Sequence, residues 1–158
     1  MPMLKHLTAA ALVLGSLGTA SARNLDAIAE FVRPAYTAMN FAAICVRDNP
    51  SFPTETAGPS GTIFHYAQQA KDEAIEGLSH AEALTVLKTA ADAARAVARK
   101  HLYALVVNGD DRATVAAVRA WCDSDAKAYV RSVMRSYEEA DAEGNADDPA
   151  RDKEPPVQ

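Results

Sequence analysis

Hydrophobic residues recur every three or four positions along most of this 158-residue chain, the spacing of one face of an α-helix. Turn-forming residues divide the pattern into four segments, which predict helices over about 25–46, 62–76, 80–107 and 110–137. Alternating strand patterns are missing from the sequence. We therefore expect an all-α fold, an antiparallel four-helix bundle in which the last two helices form a long hairpin.

Short polar residues stand where these helices are expected to begin. Asn24 and Asp110 are suitable N-caps for the first and fourth helices. Ser79 followed by Glu82 has the spacing of a capping box at the start of the third. Pro34 lies inside the first segment, where a proline costs about 3 kcal/mol because it removes a backbone donor. We therefore expect the first helix to be kinked or split at Pro34.

The N-terminal residues have the organisation of an export signal. Lys5 and His6 precede an apolar run over 7–18, and the small residues Ala20–Ala22 follow it. This order is typical of a secretory signal peptide, and the run is shorter than the roughly 20 residues of a membrane-spanning helix. We predict a signal peptide over 1–22 with cleavage after Ala22. The mature chain is then periplasmic or secreted, without a membrane span.

The C-terminal residues are strongly acidic. Residues 138–158 contain eight Asp and Glu, two Lys and Arg, and three prolines, so they have little apolar surface to bury. We expect a helical domain over 23–137 followed by a disordered acidic tail over 138–158. The domain carries thirteen basic and thirteen acidic residues. Because it has no net basic charge, we expect neither nucleic acid nor an anionic membrane surface as a partner.

A disulfide between the two cysteines is expected to compensate for a small hydrophobic core. The predicted buried face of the third helix begins at Leu84 and Leu87 and continues mainly through alanines such as Ala98. Cys45 and Cys122 are both on predicted buried faces, and an oxidising compartment allows them to bond. A disulfide closing so long a loop stabilises by about 4 kcal/mol. A Cys-x-x-Cys spacing is absent, which disfavours a redox or metal role, so we predict a structural disulfide.

Residue patterns for metal binding and familiar catalysis are missing. The histidines of the mature chain, His65, His80 and His101, do not pair at three- or four-residue spacing, so one helix face cannot present two imidazoles. Gly-x-Ser-x-Gly and His-Glu-x-x-His do not occur. We therefore expect no metal site, no cofactor and no recognisable enzymatic activity.

Polar residues flank the long loop over 47–60, and long ordered loops often carry function. If the protein binds a small polar ligand, the candidates are Arg47, Asp48, His65, Tyr66 and Lys71.

The leading functional hypothesis is a non-enzymatic protein of the cell envelope that binds a protein partner or client. In general plan, a small exported helical protein with one disulfide resembles the acid-stress chaperones of the bacterial periplasm, although a likeness of fold does not by itself carry function. The acidic tail could contact a basic partner. A small-ligand- or metal-binding sensor bundle is the alternative, and an enzyme of unfamiliar type is a third.

Overall fold

The computed structural model describes residues 24–146, with the side chains of 24–140 and 142. The predicted signal peptide over 1–22 and residues 147–158 lie outside the described residues. Within the described range the chain is helical and forms no strand, which confirms the all-α prediction. The helices are α1 (Leu25–Cys45), α2 (Phe52–Glu55), α3 (Ile63–Ile75), α4 (His80–Leu105), α5 (Asp111–Trp121) and α6 (Lys127–Ala146), with a π-helical turn (Cys122–Ala126) between α5 and α6.

The predicted N-caps are confirmed. The Asn24 side chain accepts a hydrogen bond from the backbone N–H of Ala27, and Asp110 caps α5 in the same way. Ser79 and Glu82 form the reciprocal capping box at the start of α4. Each cap satisfies backbone donors that a helix leaves without internal partners, so these ends are specified locally by the sequence.

Helix α1 continues through Pro34, so the expectation that this proline splits the helix is wrong. Val32 precedes the proline and Ala35 and Ala38 follow it, and all three are fully buried. Interrupting the helix would withdraw one of these groups from the core. Burial on both sides therefore offsets the backbone hydrogen bond that Pro34 cannot donate.

Helix α1 packs against α4, α3 and α6. Val32 of α1 and Val86 of α4 share one buried cluster, and Phe41 and Ala98 share another, so α1 and α4 run in the same direction. Helix α6 runs the other way, since the Tyr137 hydroxyl donates to a carbonyl near the start of α1. These contacts place the end of α1 beside the junction of α5 and α6.

Two details differ from the sequence-based expectation. Leu84, expected to be buried, is 55% exposed, and Val86 and Ala90 are buried in its place. Small side chains on this face allow α4 to approach α1 closely. At the C-terminal end, α6 continues past Tyr137, the predicted end of the helical domain, to Ala146.

Candidate functional site: the α4–α5 hairpin and its base

The polar residues proposed from the sequence lie in two separate groups. Arg47 and Asp48 follow the end of α1, and both are exposed. The Asp48 carboxylate lies 3.5 Å from the guanidinium of Arg119 on α5, so this group belongs to the base of the α4–α5 hairpin. Arg47 lines a cavity between α1 and α4.

The second group lies on α3. Tyr66 is buried, His65 is exposed beside it, and the Lys71 ammonium lies 3.4 Å from the Asp72 carboxylate. Among the described residues, no hydrogen bond, ion pair or ring contact joins this group to Arg47 or Asp48. The structure therefore does not bring the five residues together in one site, and ligand binding by either group stays a prediction.

The buried Tyr66 hydroxyl has a structural partner. It donates a hydrogen bond of 2.8 Å to the Glu138 carboxylate on α6. Burial raises the pKa of Tyr66. Hydrogen bonds with Ser60 lower this pKa, and the hydrogen bond to Glu138 raises it. A Cβ added to Gly58 would collide with the same Glu138 oxygen. This contact fixes the start of α3, the 58–61 turn and α6 together.

The long loop is fixed to α6 as well. The Glu55 carboxylate accepts a 2.7 Å hydrogen bond from the Lys127 ammonium, and the Glu55 carbonyl accepts one of 2.9 Å from Arg131. The hydrogen bond from Lys127, followed by one from Asn49, lowers the pKa of Glu55. Because short helix α2 is held in this way, the loop contributes to the packing of the domain.

One spacing with catalytic precedent is not among the sequence-based candidates. Ser124 and Lys127 have the Ser-x-x-Lys spacing in which a lysine can activate a serine. In the structure the Ser124 hydroxyl donates to the carbonyl of Ala120, and the Lys127 ammonium is paired with Glu55. No hydrogen bond joins the two side chains in the described part of the chain, so this arrangement offers no activated nucleophile.

The predicted disulfide is present at the base of the hairpin. Cys45 and Cys122 are bonded, with their Cα atoms 5.5 Å apart. Cys122 begins the π-helical turn, and both cysteines are buried. A residue added to a helical turn rotates the rest of the helix by about 100°. The turn therefore lets Cys122 face α1 while Val130 and Met134 further along the chain remain buried.

An aromatic cluster surrounds the disulfide. The ring of Phe41 contacts those of Trp121, Tyr129 and His101, at centroid distances of 4.8, 5.1 and 5.2 Å. Contacts of this kind contribute about 0.5–1.5 kcal/mol each beyond buried area. The Trp121 Nε1 atom is buried without a hydrogen-bond partner among the described atoms, so ring packing alone positions this residue. The base of the hairpin is thus anchored covalently and by aromatic contact.

Beyond this base the hairpin has no buried residue. All positions over 99–120, between buried Ala98 and buried Trp121, are exposed or only partly buried. Large apolar side chains are nevertheless present there. The most exposed of them are Tyr103 (75%), Val106 (51%), Val107 (43%) and Val115 (44%).

Charges border these apolar side chains. Residues 99–120 contain four Lys and Arg and two Asp, a net charge of +2. One acid, Asp110, is used as the N-cap of α5, where its side chain accepts from the backbone N–H of Ala113. On α5, Asp111, Arg112 and Arg119 lie beside Val115 along one open helix face. The hairpin therefore combines apolar surface with a net positive charge.

Metal clusters and membrane-spanning helices are both absent from the described residues. Histidine, cysteine and acidic side chains do not converge there in groups of three or more that could hold a metal ion. Among the same residues, no helix has the length and apolar character needed to cross a membrane.

Known proteins give no assignment for this chain. It matches no protein-family model, no curated protein and no solved structure. A functional interpretation must come from its own residues.

Proposed function

We propose that this protein binds a protein partner or client through the tip of its α4–α5 hairpin, defined as residues 99–120. The observation that carries the proposal is the absence of any buried residue over these positions, although they include Tyr103, Val106 and Val115. Single exposed apolar residues are ordinary on protein surfaces. Their concentration on one hairpin is typical of an interaction surface.

The chemistry of the tip indicates the character of the partner. Each Å² of apolar surface removed from water contributes about 25 cal/mol of favourable free energy. A partner that covers Tyr103 and Val115 therefore gains most of its binding free energy from contact there. The net positive charge of residues 99–120 favours acidic residues around that apolar centre and disfavours basic ones. The partner we infer is a protein or unfolded segment with an apolar surface flanked by carboxylates.

The anchored base supports the same interpretation. Cys122 and Trp121 attach the hairpin to α1 through the disulfide and through ring contact with Phe41. A surface held in this way loses less conformational freedom on binding than a free segment would. The fold thus presents the tip in a prepared orientation without covering it.

A test of client binding compares the tip with a matched apolar position elsewhere on α4. The variant Tyr103→Ser/Val115→Asp should lose suppression of light scattering by a heat-aggregating enzyme. Leu84→Asp changes an equally exposed side chain outside the tip and should behave as wild type. Equal suppression by all three proteins would contradict binding through the tip, as would no suppression by the wild type.

A second test addresses a specific partner. A photo-crosslinking residue placed at position 115 should give a discrete adduct in the envelope of the producing cell, and the same residue at position 84 should give none. If adducts form at both positions or at neither, the hairpin tip is not the binding surface.

We also propose that the protein is exported and that signal peptidase removes residues 1–22. The disulfide is compatible with an oxidising compartment. Intact-mass measurement of protein from the envelope should give a chain that begins at Arg23 and has no free thiol. A cytoplasmic chain that retains Met1 would contradict this proposal.

We infer that α1, α3, α4 and the continuous α5–α6 segment form a four-helix arrangement with α4 and α5 antiparallel. The shared clusters of α1 with α4 and of α1 with α6 support it. Spin-label distances between α3 and α4 and between α4 and α6 would test it, because a different helix order changes them by more than a helix diameter of about 10 Å.

A further inference from the structure

A groove between α1 and α4, beside the base of the hairpin, has the composition of a small-molecule site. Its volume is about 550 Å³, within the roughly 300–1,000 Å³ typical of such sites. Helix α1 and the residues after it contribute Ala43, Ile44 and Arg47, and α4 contributes Arg99 and Leu102. The groove shares Arg99 and Leu102 with residues 99–120, but the exposed apolar residues of the tip, such as Tyr103 and Val115, do not line it.

Two of the arginines that line the groove have no acidic partner among the described side chains. The Asp92 carboxylate already pairs with Arg95 at 2.6 Å and Lys88 at 2.7 Å, and hydrogen bonds from these two cations lower its pKa to about 2. Arg47 and Arg99 have no carboxylate within ion-pair distance among the described side chains. The groove thus carries positive charge that no described carboxylate pairs with.

The remaining lining is apolar apart from Asn40. Ala43 and Ile44 on α1 and Ala98 and Leu102 on α4 supply the apolar part of the lining. The α4 residues of the lining extend from Asp92 to Leu102, about 15 Å at 1.5 Å per residue. Guanidinium groups bind carboxylate and phosphate oxygens through paired hydrogen bonds, and the apolar side chains of Ile44, Ala98 and Leu102 suit contact with part of an aliphatic chain.

We propose that this groove binds an amphiphilic anion, with a carboxylate or phosphate head group held by Arg47 and Arg99 and an aliphatic chain along Ile44 and Leu102. The ligand class is a small anion with one hydrocarbon chain. The inference goes beyond partner binding and does not rest on it, because the exposed apolar residues of the tip do not line the groove.

The first test separates the head group from the chain. Decanoate, decyl phosphate, decanol and acetate are titrated calorimetrically into the full-length mature protein, below the concentrations at which the amphiphiles form micelles. Decanoate or decyl phosphate should bind at least tenfold more tightly than decanol and acetate. The anion that binds more tightly shows whether the site prefers a carboxylate or a phosphate head group. If decanol or acetate binds as well as both anions, the proposal is wrong.

The second test locates the site. Arg47→Gln and Arg99→Gln should each weaken binding of the preferred anion about tenfold, as expected for the loss of one charged hydrogen-bonding group. Arg112→Gln, a matched change on the open face of α5, should leave affinity unchanged. Ala43→Trp, which fills the groove without removing charge, should abolish binding.

These outcomes are distinct from those for the hairpin tip. The tip variant Tyr103→Ser/Val115→Asp should bind the anion as the wild type does. Loss of binding in this variant with retention in Arg47→Gln would place the anion on the tip and overturn the groove proposal. Circular dichroism of each variant should show intact helices, since every changed groove residue is exposed.

Discussion

Removing the disulfide should cost this protein a large part of its stability. Cys45 and Cys122 are separated by 77 residues. In the chain-entropy relation, a closed loop of that length lowers the entropy of the unfolded state by roughly 15 cal/mol/K, or about 4.5 kcal/mol at 25 °C. Total unfolding free energies of such domains are about 5–15 kcal/mol. We expect the protein without the bond to be folded but marginal.

The corresponding change in melting temperature depends on the size of the folded region. Unfolding entropy near the midpoint is about 2.1 cal/mol/K per residue, so roughly 120 residues give about 0.25 kcal/mol/K. A loss of about 4.5 kcal/mol then lowers the midpoint by about 15 to 20 °C. The largest local effect should appear at the base of the hairpin, where Trp121 and Phe41 pack beside the bond.

The measurement uses urea unfolding of the variant Cys45→Ala/Cys122→Ala, with the wild type in a reducing agent as a matched comparison. Both cysteines are almost fully buried, so the variant also loses the packing of two sulfur atoms, whereas the reduced wild type does not. A similar loss in both proteins assigns the effect to the cross-link. A loss below about 1 kcal/mol in both would refute the reasoning.

Three further predictions concern individual contacts and their pH dependence. Gly58→Ala should lower the unfolding free energy by about 1–2 kcal/mol because the added Cβ displaces Glu138 from the Tyr66 hydroxyl. In a double-mutant cycle, Gly58→Ala should be nearly neutral when Glu138→Ala is already present, and full additivity of the two changes would disprove the coupling. Burial raises the pKa of Tyr137 to about 12, so its contribution to stability is complete below about pH 10 and is lost as the pH rises towards 12. Ultraviolet titration should find a tyrosine that ionises near pH 12, and its absence would contradict the packing of α6. Asp92, whose pKa is lowered to about 2, should stabilise the fold above about pH 4 and lose that effect as the pH falls towards 2. An Asp92 carboxyl pKa at the ordinary value, measured by NMR titration, would show that its two ion pairs do not form in solution.

Local signals in the sequence predicted much of the fold. Helix ends at Asn24, Ser79 and Asp110 lie where the sequence places them, because capping depends on residues three positions away. The first helix is not split at Pro34, for the opposite reason. The local cost of this proline is real, but it is outweighed by buried contacts on both sides that come from other helices.

The candidate site was predictable only in part. Tyr66 was proposed as a ligand residue, yet its hydroxyl is occupied by Glu138, 72 positions away in the chain. Arg47 was proposed for the same cluster and instead faces α4. Sequence spacing within one helix cannot reveal either partner, because both depend on which helices pack together.

The sequence alone determined the helices, their caps and the two cysteines that join them, since these depend on short-range periodicity and on the count of thiols. Tertiary structure decided which face of α4 is buried, where the π-helical turn rotates the last helix, and which apolar residues stay uncovered. Val86 is buried and Leu84 exposed although both fit a helical pattern. The physical reason is that burial is a property of pairs of elements, and no single segment contains the surface that will cover it.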